Sequence, residues 1–217
     1  ARMRNLSNED HTKLLTHLKN TLGDIRELQY TTIGPSVGAN LKTRAFWALA
    51  TAVAAIICYI AFAFRKIPKQ FSPWSFGTVA ILALVHDIVI TLGIFTILSH
   101  YTTFQVDTLF ISALLSIMGY SVSDTIVIFD RIRDNMNEDK RGDFEEITNR
   151  SLKQTLTRTL NTGLGALIML FALFFFGSES IRWFMLALII GTVIGTYSSF
   201  FVAAPLLVFW RKHTDKK

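Results

Sequence analysis

One cysteine in 217 residues leaves this chain without an internal disulfide, and Cys58 has no neighbouring thiol with which to build a metal site. It lies within an apolar block, where it reads as a small core or lipid-facing residue. Charge is also scarce. Charged residues make up 18% of the chain against 51% hydrophobic ones, and the mean hydropathy is +0.39. The formal net charge of +6 raises the question of nucleic acid. The basic residues, however, cluster beside apolar blocks, and no aromatic–basic motif of a nucleic-acid module accompanies them. No HExxH and no activated serine or cysteine nucleophile motif is present, so the sequence does not read as an enzyme. The first residues, Ala1–Arg4, lead into a polar stretch without the apolar core of a signal peptide. Ala1 is also an unusual start, so the chain is expected to begin partway through a longer protein.

The apolar residues are gathered into long blocks, and about 20 residues of helix cross a hydrocarbon core of roughly 30 Å. Five such spans are predicted, at 43–64, 74–98, 107–130, 157–177 and 182–209, which makes the fold class an α-helical polytopic membrane protein with a transmembrane bundle over 41–210. Residues 1–40 look water-soluble. Ser7 and Asp10 resemble a capping box, Leu14, Leu15, Leu18 and Leu22 follow at helical spacing, and Gly23 is a plausible stop. Residues 25–33 read as a strand, and Gly34-Pro35-Ser36-Val37-Gly38 breaks the pattern. One helix and one strand cannot close a core, so this segment is expected to be the end of a small α+β domain.

Lys and Arg set the orientation. Arg65, Lys66 and Lys69 lie in the first connection, and Arg131, Arg133, Lys140, Arg141, Arg150 and Lys153 in the loop 131–156. Arg211, Lys212, Lys216 and Lys217 belong to the tail 211–217. With five spans all three segments fall on one side, and the connections 99–106 and 178–181 contain no Lys or Arg. The basic side is expected to be cytoplasmic, which leaves residues 1–40 outside and the C-terminus inside. Within the loop, residues 143–155 have an amphipathic cast. They predict either a surface helix running into the fourth span or a solvated charged loop.

Charges inside the spans are the conspicuous feature. Asp124 lies in the cytoplasmic half of the third span, where an uncompensated carboxylate costs about 2.5–3.5 kcal/mol on insertion scales. Ser112, Ser116, Gly119 and Ser123 form a small-residue face of that helix, predicted to be a packed seam with Asp124 at its edge. Arg158 begins the antiparallel fourth span at a similar depth, so an Asp124–Arg158 pair would offset part of both desolvation costs. Such a pair makes proton affinity at Asp124 responsive to the position of the guanidinium. A fixed salt bridge, or an Arg158 that snorkels to lipid phosphate, are the alternatives. His86-Asp87 sits near the middle of the second span. It reads as a proton-transfer pair or as buried polar packing, and because adjacent helical residues point about 100° apart it is not a chelating pair, so no metal is expected. Gly191 and Gly195 form a GxxxG contact, and Pro205 is a candidate kink.

These residues carry a family resemblance. Gly119-Tyr120-Ser121-Val122-Ser123-Asp124-Thr125, then Asp130-Arg131-Ile132-Arg133-Asp134-Asn135, closely resembles the signature of the SecF family of the bacterial SecDF export complex, in the resistance-nodulation-division superfamily. Ile33-Gly34-Pro35 with Gly38, His86-Asp87, Arg158-Thr159 and Gly195-Thr196-Tyr197-Ser198-Ser199 follow in the family's order. The resemblance implies a six-helix half-bundle, of which five spans are present here, and a periplasmic domain between the first two helices. It implies that Asp124 and Arg158, 34 residues apart, belong to a proton pathway; His86, Asp87, Ser123 and Thr125 are the candidate network around them. Gly34, Pro35, Gly38, Gly119, Gly191 and Gly195 would serve helix packing or hinges. Ser123 departs from the family, which usually has Asn there.

The implied activity is use of the proton motive force to assist translocation of secretory proteins after SecA and SecYEG act, with protons as the coupling ion and no other cofactor. The implied partners are SecD, SecYEG, the emerging polypeptide, YajC, YidC and membrane lipids, with no nucleic acid, and the implied location is the bacterial inner membrane. A related exporter of lipids or small molecules is the alternative.

Overall fold

A computed structural model describes residues 8–23, 35–63, 73–102, 104–139 and 142–214. The described chain is helical: α1 (Asn8–Leu22), α2 (Pro35–Ala63), α3 (Pro73–Tyr101), α4 (Thr108–Glu138), α5 (Phe144–Phe176), a 3-10 turn (Glu179–Ile181), α6 (Arg182–Ser198), a π-helical turn (Ser199–Ala203) and α7 (Ala204–Thr214). Five stretches are long and apolar enough to cross a membrane, and they correspond to the five predicted spans. Among the described residues there is no strand. The predicted strand 25–33 and Gly34 lie outside the described residues.

The chain divides into two units, Ala1–Trp47 and Ala48–Lys217. In the first, α1 half-buries Leu14, Leu15 and Leu18 and ends where Gly23 takes φ +85°, a conformation glycine adopts without a Cβ clash. α2 starts with Pro35 in its first turn, where a missing N–H costs nothing. Gly38 therefore lies within the helix, and the break predicted at 34–38 is not made by residues 35–38, which are its first turn.

The second unit is the bundle. A single span has every backbone group satisfied within its own helix, which is why helices are the solution in lipid. Cohesion then comes from side-chain packing and from hydrogen bonds between helices. α4 and α6 run parallel and form its spine. A Cβ on Gly191 would lie 2.2 Å from two atoms of Ile117, and one on Gly195 would lie 3.0 Å from the Ser121 Cβ. One turn further on, Thr125 and Ser199 hydroxyls are 2.9 Å apart. The buried ridge of α4 is thus Ala113, Ile117, Ser121 and Thr125.

This corrects the expected seam. Ser112, Ser116, Gly119 and Ser123 are all exposed within this chain, and a Cβ on Gly119 would touch nothing within 4 Å. The two α6 glycines decide the matter, because they admit the larger Ile117 and Ser121 and so turn the neighbouring ridge inward.

Apolar clusters bracket the middle of the bundle. At one end Phe76, Phe129, Ile132, Met136, Ile147 and Leu207 pack with Ile60, and at the other Phe95, Phe104 and Phe110 meet at tilted and edge-on angles with Trp183 edge-on to Phe104. α4 and α5, at 31 and 33 residues, are longer than a bilayer requires. The amphipathic segment 143–155 is helical and runs into the fourth span, as one of the two sequence readings expects, and is not a loop. Asp143 caps it, accepting from the Glu145 and Glu146 N–H groups, and the helix continues unbroken to Phe176. The ends of α2, α4 and α7 gather with the start of α5 at one end of the bundle. There Arg133 donates to the Ala63 carbonyl at 3.3 Å, and Lys212 pairs with Glu145 at 2.5 Å.

Pro205 follows the π-helical turn. It has no N–H for the Phe201 carbonyl and its ring crowds that group, and the ladder widens over Ser199–Ala203 just before it.

Candidate functional site

A belt of hydroxyls and two carboxylates crosses the bundle between its apolar clusters. Asp87, on α3, is fully buried at 0% exposure. Its Oδ2 accepts from the Ser121 hydroxyl of α4 and from the Ser198 hydroxyl of α6 at 2.8 Å. Its Oδ1 lies 3.0 Å from Nδ1 of His86, a half-buried neighbour on the same helix. One carboxylate therefore ties three helices together, as a buried acceptor must find donors. A turn away on α3, the Thr91 hydroxyl is buried without a partner.

Asp124 occupies the same belt on α4 and is 8% exposed. Thr196 Oγ1 approaches its Oδ2 at 3.5 Å, the outer limit of a hydrogen bond. The Tyr120 hydroxyl lies 3.1 Å from that same Thr196 oxygen. Threonine has one proton to give, so when Thr196 donates to Asp124 it receives from Tyr120. Gly163 of α5 backs this pair closely. A Cβ there would sit 3.1 Å from the Tyr120 hydroxyl and 3.4 Å from Thr196 Oγ1.

Arg158 is exposed, and among the described residues no ion pair joins it to Asp124. The direct pairing read from the sequence is not the arrangement in this structure. The shared depth is. α5 runs antiparallel to α4 with Asn135 against Ser151, Arg131 against Gln154 and Tyr120 against Gly163. That register puts Arg158 within about one turn of Asp124 along the bundle. The side chain points outward, and the Asp124 carboxylate faces hydroxyls instead.

Of the surrounding residues, Thr125 is buried against Ser199, whereas Ser123 is exposed and stands outside the belt. His86 and Asp87 are joined to each other, and Ser121 and Ser198 complete their set. Gly191 and Gly195 face α4. No group of three or more metal-ligating side chains occurs among the described residues. Sequence reasoning missed Tyr120, Ser121, Thr196, Ser198 and Ser199 as partners, and Gly163 as the close backing of the Tyr120–Thr196 pair. Their signal was a run of hydroxyls, Thr196 to Ser199, beside a glycine inside an apolar span.

Comparison with known proteins gives a consistent picture. Residues 13–213 match the family described as "Protein export membrane protein SecD/SecF, C-terminal". The chain is 46% identical over 201 residues to the protein translocase subunit SecF of Thermobaculum terrenum, covering 93% of this chain and 62% of that protein. It is 38% identical over 207 residues to its counterpart from Anaerolinea thermophila, covering 94% and 66%. Among solved structures it resembles a Thermus SecDF, described as a translocon-associated membrane protein, with a TM-score of 0.79 and 36% identity over 95% of this chain and 27% of that one. A SecDF crystal structure in a super-membrane-facing form gives a TM-score of 0.76 at 34% identity, covering 97% and 27%. The chain thus spans somewhat under two thirds of the length of these SecF relatives.

Proposed function

The chain belongs to the SecD/SecF C-terminal family of protein export membrane proteins, and from that premise we propose that it is a SecF-type subunit that uses the proton motive force to assist translocation of secretory proteins. In this reading Asp124 takes up and releases the proton and Arg158 controls when it does so. The observation that carries it is the separation of two charges at one depth. A carboxylate sits inside a membrane span with hydroxyl neighbours and, among the described residues, no ion pair, while an arginine at the same level on the adjacent helix points outward. Swinging the guanidinium inward favours the ionised carboxylate, and swinging it out favours the protonated one. One charge crossing the membrane potential releases about 2.3 kcal/mol per 100 mV, enough to bias a two-state bundle.

The basic residues at the gathered helix ends support a cytoplasmic location for that side, with residues 1–40 on the periplasmic face of the inner membrane. Proton release there would be coupled to movement of periplasmic domains that hold the emerging polypeptide once SecA and SecYEG have started it. SecD is the proposed partner that completes the bundle, and SecYEG, YajC and YidC are the proposed wider assembly.

The test uses the full-length protein reconstituted with its partner subunit. Asp124→Asn and Arg158→Met should each abolish proton flux and the stimulation of secretion while leaving the complex assembled. Wild-type rates in both variants would remove these residues from the pathway.

A further inference from the structure

We propose that the phosphate of an anionic phospholipid sits in a cradle of Arg131, Arg150, Lys153 and Arg158 built around Gln154. Gln154 is the fixed point. Its Oε1 accepts from Arg131 Nε at 2.7 Å and from Asn135 Nδ2 at 2.8 Å. Asn135 is buried and donates also to the Ser151 hydroxyl at 2.7 Å, so the Arg131 guanidinium is held with its terminal nitrogens directed to another acceptor. Arg150 and Arg158 stand one turn before and one turn after Gln154 on α5, at the spacing that makes helical side chains neighbours, and Lys153 is adjacent. All three are exposed.

No ion pair neutralises any of the four among the described residues. The nearby acids of α4 are engaged elsewhere, since Arg133 holds both Asp130 and Asp134 at 2.5 and 3.5 Å. Glu146, one turn before Arg150, makes no ion pair with it. Like charges at this spacing repel one another, and an anion among them converts repulsion into attraction.

Depth and shape point to a lipid rather than free phosphate. From Leu160 to Phe176, α5 is apolar except for Asn161 and Thr162, so Arg150 and Lys153 fall where the span leaves the hydrocarbon and enters the headgroup layer, with Arg158 about a turn inside that boundary and long enough to reach it. Gly165, Met169 and Phe176, seven, eleven and eighteen residues beyond Arg158 and so within about 20° of its face, are exposed and form a ridge running from the cradle into the membrane. That ridge gives an acyl chain a track which inorganic phosphate would not use. Occupancy of the cradle would also hold Arg158 outward, away from Asp124. That consequence rests on the function proposed above, but the lipid site does not.

The full-length protein, purified as it assembles in the membrane, is placed in nanodiscs containing equal amounts of phosphatidylglycerol and phosphatidylcholine. Lipid retained on release is counted by native mass spectrometry. The glycerol lipid should be retained roughly ten- to thirty-fold over the choline lipid, and Arg150→Gln with Lys153→Gln should remove most of that preference. Both side chains are exposed, so the double variant should fold. The charge-matched pair Lys13→Gln with Lys19→Gln should leave the preference intact. Equal retention of the two lipids, no effect of the α5 substitutions, or an equal loss in the control pair would overturn the site. Phosphorus NMR with inorganic phosphate in detergent separates the sources: binding as tight as that of phosphatidylglycerol would overturn the assignment to lipid.

Discussion

Replacing Gly191 with alanine adds one methyl group where α6 crosses α4. The new carbon would lie 2.2 Å from both Cδ1 and Cγ1 of Ile117 and 2.8 Å from its Cγ2. Ile117 is β-branched, 2% exposed and unable to swing aside. Overpacking of this kind costs about 1–3 kcal/mol. The same substitution gains roughly 0.8–1 kcal/mol of helix propensity, which would mask part of the loss. Gly119→Ala supplies the reference, because it brings the same propensity gain on α4 with nothing within 4 Å of the new carbon. The difference between the two variants should therefore be about 1–3 kcal/mol, with Gly191→Ala the less stable. Reversible unfolding of the purified protein in mixed micelles measures it. Repeating the pair in an Ile117→Ala background should abolish the difference, since the obstructing atoms are gone. A difference below about 0.5 kcal/mol, or one that persists without Ile117, would show that the α4–α6 register is wrong.

Two other substitutions address the polar belt. Asp87→Ala leaves the Ser121 and Ser198 hydroxyls without their common acceptor and should destabilise the bundle by about 1–3 kcal/mol in the same assay. An unchanged midpoint would mean the three-helix tie is not made. Gly163→Val should push the Tyr120 hydroxyl off Thr196 and depress proton flux well below wild type, with Gly163→Ala intermediate because a single Cβ displaces its neighbours by only a few tenths of an ångström. Undiminished flux in the valine variant would make the Tyr120–Thr196 bond dispensable.

The five spans were readable because hydropathy is a property of each segment alone. So was the common depth of Asp124 and Arg158, which needs only helix direction and rise. Which face of α4 turns inward was not readable. Ser112, Ser116, Gly119 and Ser123 looked like the natural close-packing edge, but small residues in lipid tolerate exposure as well as contact, and the choice is made on another helix by Gly191 and Gly195. The rotamer of Arg158 was equally beyond reach, since a long cation at a span end can reach inward or outward at little difference in energy. Asp87 was legible as a buried polar residue, but its donors lie 34 and 111 residues away, at Ser121 and Ser198. The joining of segment 143–155 to the fourth span was legible, since its amphipathic pattern leads straight into the apolar block. Asp143 fixes where that helix starts, and no residue between Phe144 and Phe176 interrupts it.

The widened turn at Ser199–Ala203 has a consequence for how the last span can be read by its neighbours. A regular helix carries one angular phase from end to end, so a residue added or removed anywhere rotates everything beyond it by about 100°. The wide turn breaks that rule locally. The stretch before it aims Thr196 and Ser198 at the carboxylates, while the stretch after it aims Ala204 and Leu207 into the apolar cluster, and the two aims are set independently. The polar half and the apolar half therefore face their partners with different angular phases. A span built this way presents two separately phased faces, a polar one toward the carboxylates and an apolar one toward the cluster.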